Sequence, residues 1–207
     1  VEVDRRDQRV AQRVLLAQEA RRRARIDREP RAPLVHRQPD ALLGIIFVHH
    51  RGVPGDEFVH LVGADQRLGP GDKPLVVIDE SYNANTASVT AALDVFAAQQ
   101  AAPGGNKVLV LGDMLELGPQ GPALHASLRD AVEASGATRI YLVGENMGAL
   151  AEALGSDRVA SHTQTAAEME PQLLEALAYG DALMVKGSNG VGLAGIVKAI
   201  RHKFAID

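Results

Sequence analysis

From Leu75 onward, short apolar runs alternate with stretches whose apolar residues recur at helical spacing, at intervals of roughly thirty residues. The runs Leu75 to Asp79, Lys107 to Leu111, Arg139 to Val143 and Ala182 to Lys186 are almost continuously apolar. That is the pattern of a parallel strand covered on both faces. A weaker strand is expected near Arg158 to Ser161. Between the runs, three sets recur at i, i+3, i+4 and i+7: Val89, Ala92, Leu93 and Phe96; Met147, Leu150, Ala151 and Leu154; Leu193, Ile196, Val197 and Ile200. They predict helices with one buried stripe each. Further helices are expected around Pro122 to Ser135 and Thr165 to Ala178, and Asn85 or Thr86 is the expected N-cap of the helix that carries Val89 to Phe96. Strand and helix in alternation predict an α/β fold, a Rossmann-like doubly wound and mostly parallel sheet over residues 74–207.

Residues 1–73 follow no such grammar. Val10 to Arg28 is compatible with a helix, though Arg21, Arg22, Arg23, Arg25 and Arg28 would crowd it with like charge. Pro30, Pro33 and Pro39 stop any continuation, and Leu42 to His49 and Phe58 to Val62 read as single strands. The chain is therefore expected to divide into an irregular Arg-rich segment, 1–73, and an α/β domain, 74–207.

Charge and composition sharpen that division. Residues 1–40 hold eleven Arg against seven Asp and Glu, and the first Lys is Lys73, although the whole chain carries a formal charge of -4 and a pI near 6.0. The acidic remainder argues against nucleic-acid binding by the chain as a whole. An RNA-binding arm is disfavoured because its acids dilute the charge and no aromatic precedes Phe47. No cysteine is present, so disulfides and thiolate metal sites are ruled out. The longest apolar run, Ala41 to Val48, is too short to cross a bilayer. A cytoplasmic protein without membrane partners is expected. His49, His50, His60, His125, His162 and His202 lack metal-ligand spacing and are expected at the surface.

Four polar segments follow strands and should share the carboxyl edge of the sheet, where ligands of such folds gather. They are Asp79 to Asn85, Gly112 to Gly118, Gly144 to Asn146 and Lys186 to Gly190. The first is dense in amides and carries a carboxylate just before a helix, suited either to capping or to ribose, adenine or phosphate contact. In the second, Asp113 and Glu116 would suit an ammonium group or magnesium, or else form an ordinary charged loop. Gly144 to Asn146 reads as a turn. The fourth runs into Gly190, Gly192 and Gly195, a literal G-x-G-x-x-G. It is not expected to hold a dinucleotide, because such fingerprints open the first βα unit and no acidic strand follows in the twelve residues after Gly195. What it offers is Lys186 beside backbone N–H groups at a helix start, an anion cradle. No nucleophile elbow occurs, and the dipeptide Gly-Lys of a P-loop is absent.

Asp79-Glu80-Ser81-Tyr82-Asn83-Ala84-Asn85, Val110 to Gly118 and Val185-Lys186-Gly187-Ser188, in that order and spacing, resemble the C-terminal domain of the Mur ligases. Within them the resemblance is to the branch that joins D-Ala-D-Ala to a UDP-MurNAc-tripeptide in peptidoglycan synthesis. It implies an ATP- and Mg2+-dependent carboxylate activation in which a central P-loop domain holds most of the nucleotide. This third domain then closes over it and brings the amine component. On that resemblance Asp79, Tyr82, Asn83 and Asn85 border the nucleotide, Lys186 and Ser188 lie by the phosphates or the dipeptide, and Asp113 and Glu116 line the cleft. The pattern departs from the family at Glu80, Thr86 and Asn189, where Asp, Pro and Arg are usual; Asn189 removes a bidentate donor. Lacking a P-loop, the chain is expected to be inactive alone. The alternative is a stand-alone, non-catalytic module that binds a nucleotide or dipeptide.

Overall fold

The computed structural model describes residues 66–205 and, ahead of them, the backbone of two strands, β1 (Gly44–Val48) and β2 (Phe58–Val62). These two pair antiparallel, Gly44 opposite Val62 and Val48 opposite Phe58. The helix expected over Val10 to Arg28 lies outside the described residues.

The main sheet has six strands: β3 (Gln66–Leu68), β4 (Leu75–Glu80), β5 (Lys107–Gly112), β6 (Arg139–Val143), β7 (Val159–Thr163) and β8 (Ala182–Lys186). Their spatial order is β3-β4-β8-β5-β6-β7, parallel throughout except for β3, which runs antiparallel along β4. Successive residues of a strand face opposite sides, and each side has its own core. Val76, Ile78, Leu109, Leu111, Ile140 and Leu142 point to one layer; Leu75, Val77, Val108, Val110, Leu183 and Val185 point to the other.

The first layer is built from α1 (Thr86–Ala98), α2 (Gly121–Ala126), α3 (Arg129–Ala134) and α4 (Met147–Leu154), the second from α5 (Ala166–Ala176) and α6 (Leu193–Phe204). The helix expected over Pro122 to Ser135 is thus two short ones, entered through a 3-10 turn at Gly118–Gln120. Asn85 caps α1: its side chain accepts from the Ser88 N–H while the Ser88 hydroxyl accepts from the Asn85 N–H. Thr165 and Glu168 repeat the same reciprocal box at α5.

From β4 through β7 each new strand is added further to one side, and the order turns back at β8, the last strand, which is inserted parallel between β4 and β5. The loops following β4, β8 and β5 therefore converge at the switch point, where open α/β sheets form their ligand crevice. Among the described residues no helix is long and apolar enough to cross a membrane.

Candidate functional site at the carboxyl edge

The register aligns Glu80 with Lys186 and Lys186 with Leu111, so three strands end in step. Beyond that row the chain passes Ser81, Gly187 and Gly112. The last two have little room for a side chain. A Cβ on Gly187 would lie 3.1 Å from the Gly112 Cα and 2.7 Å from the Leu193 side chain, and one on Gly112 would lie 2.8 Å from the same leucine.

In the first segment the Asp79 carboxylate accepts from the Ser81 N–H (3.2 Å) and hydroxyl (2.7 Å), while its other oxygen accepts from Arg201 of α6 at 2.9 Å. Asp79 thereby shapes the turn and ties it to the last helix. Beyond it Tyr82 is 82% exposed, and Asn83 and Asn85 are exposed as well. The Asn85 amide oxygen, however, is engaged in capping α1.

In the second segment Asp113 and Glu116 separate. Asp113 is buried, and its carboxylate accepts from the Asn146 N–H and side-chain amide (both 3.2 Å) and the Met147 N–H (2.9 Å), the orphan donors at the start of α4. Gly144 makes this possible. Its φ is +117°, and a Cβ there would sit 2.3 Å from the Asp113 carboxyl carbon. Glu116 instead points to solvent from a left-handed backbone, φ +66°, the one positive φ outside glycine among the described residues. Leu115 beside it is 41% exposed.

The fourth segment turns inward. Lys186 is 2% exposed; its ammonium donates to the Asn83 carbonyl at 2.5 Å and lies 3.5 Å from the Glu80 carboxylate. Burial holds that ammonium below the ordinary lysine range, and the Glu80 charge works in the opposite direction. The Ser188 hydroxyl accepts from the Leu115 N–H at 3.0 Å, and the Ser188 N–H donates to the Asp113 carbonyl at 3.2 Å. The glycine-rich stretch that follows forms a 3-10 turn, Asn189–Val191, and Gly192 in the left-handed region starts α6.

His125 departs from the surface position expected for the histidines. It is fully buried: Nε2 accepts from the Met114 N–H at 2.9 Å, so the ring proton sits on Nδ1 and is donated to the Gly121 carbonyl at 2.6 Å. The signal in the sequence is spacing. His125 stands three and seven residues before Leu128 and Val132, both in the core, on the inward face of the predicted helix. His162 is half-buried with Nε2 2.7 Å from the Gly144 carbonyl, and His202 is exposed. Among the described residues no three His, Asp or Glu side chains are grouped to hold a metal. Asp113 is occupied by α4, and Glu80 lies beside Lys186.

The family described as Mur ligase, glutamate ligase domain, matches residues 66–189, more than half of the chain. The chain belongs to the Mur ligase family. The UDP-N-acetylmuramoyl-tripeptide–D-alanyl-D-alanine ligase of Escherichia coli K12 is 36% identical over 154 residues, which cover 73% of this chain and 30% of the ligase. The ligase of the same description from Synechocystis is 35% identical over 130 residues, 61% of this chain and 27% of the relative. Of solved structures, MurF from Acinetobacter baumannii superposes with a TM-score of 0.56 at 28% identity, over 69% of this chain and 32% of that one. The described α/β unit is thus a MurF-type Mur ligase domain, and the chain spans about a third of the length of these relatives. The family match begins at the first residue of β3, ahead of the start at residue 74 read from the sequence.

Proposed function

We propose that this Mur ligase domain supplies the nucleotide-closing and amine-component half of an ATP-dependent ligase that joins D-Ala-D-Ala to UDP-MurNAc-tripeptide. The observation that carries the reading is the sorting of side chains at the carboxyl edge. Tyr82, Asn83 and Asn85 stand exposed beside β4, Leu115 and Glu116 stand exposed beside β5, and the charged groups between them are turned inward. An exposed tyrosine with flanking amides suits a nucleoside, whose faces stack and whose hydroxyls and edges take hydrogen bonds. An outward carboxylate suits an ammonium group. Asp79 shapes the first segment, and of the pair Asp113 and Glu116 only the second has its carboxylate directed outward, so Glu116 is the candidate for the dipeptide amine.

ATP and Mg2+ enter this reading with the central P-loop domain of a complete enzyme. Phosphoryl transfer depends on positioned cations around the transferring group, and the described residues provide no such cluster. The 207 residues alone are therefore expected to bind without turnover.

The test is an amide NMR titration of the labelled chain with Mg-ATP and, separately, with D-Ala-D-Ala. Saturable shifts at Tyr82, Asn83 and Asn85 with the first and at Glu116 with the second would support the assignment. A well-dispersed spectrum that neither ligand moves would overturn it for this chain. Phosphate release by the pure chain from ATP, UDP-MurNAc-tripeptide and D-Ala-D-Ala would overturn the dependence on a P-loop domain.

A further inference from the structure

We propose that Lys186 and Ser188 are positioning residues that fix the spacing between the Tyr82–Asn83 turn and the Leu115–Glu116 loop, and that neither contacts a phosphate. The inference rests on the reading of those two loops as ligand-bordering, and it assigns the segment between them a different task.

Three observations converge on it. Strand order comes first: β8 lies between β4 and β5, so Lys186 to Ser188 occupies the gap between the two loops. Second, the polar groups of this segment point sideways into its neighbours. Lys186 reaches the Asn83 carbonyl and Glu80 on one side, and Ser188 holds the Leu115 N–H and the Asp113 carbonyl on the other. A lysine that is 2% exposed and a serine that is 8% exposed offer little surface to a phosphate. Third, Gly187 and Gly112 let the strand ends approach to backbone contact under Leu193. A single residue thus separates a side chain bonded to one loop from a side chain bonded to the other.

The physical consequence is a short, stiff tie. A shift of the Tyr82–Asn83 turn takes from a buried ammonium its hydrogen bond to the Asn83 carbonyl, leaving it only the Glu80 ion pair among its described contacts. A shift of the Leu115 loop breaks two bonds to Ser188. Only Gly187 lies between Lys186, the last residue of β8, and Ser188, so displacement on either side is transmitted across it.

The wild-type chain, Ser188→Ala, Ser188→Thr and Lys186→Met separate this role from a phosphate contact. In the free chain, Ser188→Ala should speed hydrogen exchange of the Leu115 amide by about tenfold, as loss of one partly buried hydrogen bond implies, and Ser188→Thr, which keeps the acceptor oxygen, should restore it. Lys186→Met should move the Asn83 and Ala84 amide resonances. During titration of the wild-type chain with inorganic phosphate and with Mg-ATP, the ε-methylene resonances of Lys186 should stay in place. Saturable movement of those resonances, or Leu115 exchange unchanged within about twofold in Ser188→Ala, would overturn the proposal. The phosphate titration needs no variant, so it decides even if Lys186→Met fails to fold. Mg-ATP that leaves Asn83 unmoved would count against the nucleotide reading alone, because the exchange data come from the free chain.

Discussion

Two buried aspartates at opposite edges of the same sheet do the same physical job. At the carboxyl edge Asp113, after β5, accepts from the N–H and side-chain amide of Asn146 and from the Met147 N–H. At the amino edge Asp181, before β8, accepts from the N–H (2.7 Å) and side-chain amide (3.3 Å) of Asn106 and from the Ala178 N–H (3.0 Å). Both are almost fully buried. Each carboxylate satisfies three donors that the chain would otherwise leave orphaned between a strand and its neighbouring loop. Only Asp113 stands out in the sequence as a candidate ligand, because it follows a strand and precedes Glu116. The comparison teaches that an acidic residue at the ligand edge of an α/β sheet is no more available than its bonds leave it. What separates the edges is what remains outside: Tyr82, Asn83, Leu115 and Glu116 at one, and at the other the half-exposed Tyr179 beside backbone bonds such as Ala182 N–H to the Asn106 carbonyl and Val76 N–H to the Asp181 carbonyl.

The largest effects should test that equivalence. Asp113→Ala and Asp181→Ala each leave buried donors unpaired, and each should lower unfolding free energy by about 3 kcal/mol in urea titrations. A loss at Asp113 well below that at Asp181 would mean its carboxylate is not structural. Next in size come the glycines that make room at each edge. Gly144→Ala would press on Asp113 from a left-handed backbone, and Gly105→Ala would bring a Cβ to 2.2 Å from the Gly180 carbonyl. Each should cost about 2 kcal/mol or more. Only Gly144→Ala should also displace the Asn146 and Met147 amide resonances, which confines the disturbance to the carboxyl edge.

A smaller pair of effects divides the first segment. Asn85→Ala should cost about 1 kcal/mol of stability through loss of the α1 cap, and Asn83→Ala, whose exposed side chain caps nothing among the described contacts, should leave stability within about 0.5 kcal/mol. Both should weaken Mg-ATP binding on the proposed reading. Affinity that falls only with Asn85→Ala would trace to the helix start and not to direct contact by Asn83.

The smallest effect is a slope. Because burial holds Lys186 below the 10.5 of an exposed lysine, the unfolded chain keeps the extra proton in the alkaline window under that value. Raising the pH through the window removes that proton from the unfolded state and so favours folding. Wild type should gain stability relative to Lys186→Met as pH climbs towards 10.5, followed by urea titration at several pH values. A difference that narrows instead would mean that the pairing with Glu80 outweighs desolvation.

Much of the fold is legible without coordinates, for reasons visible in single elements. Ala182 to Lys186 is buried at every position, and the apolar run Ala182 to Val185 is its signature. Leu193, Ile196, Val197 and Ile200 form the inward stripe of α6 at the spacing a helix demands. β3 carried no such signal, since three residues are too few to display a period and its place comes from pairing with Leu75 to Val77. The break between α2 and α3 was equally silent: Leu128 and Val132 face the core as one continuous helix would place them.

By itself the sequence determined the α/β class, the strands and helices with their buried faces, and the gathering of four polar segments at one sheet edge. All of these follow from local pattern: a strand covered on both faces is a near-continuous apolar run, a helix buries one stripe that recurs about every 3.6 positions, and segments that follow parallel strands share one edge. Only the tertiary structure decided that β8 lies between β4 and β5, that Asp113 and His125 are bonded to backbone, and that Lys186 and Ser188 face sideways while Tyr82, Asn83 and Glu116 face out. Those outcomes depend on which strand pairs with which and on where each polar atom finds its partner, and such long-range choices leave no period along the chain.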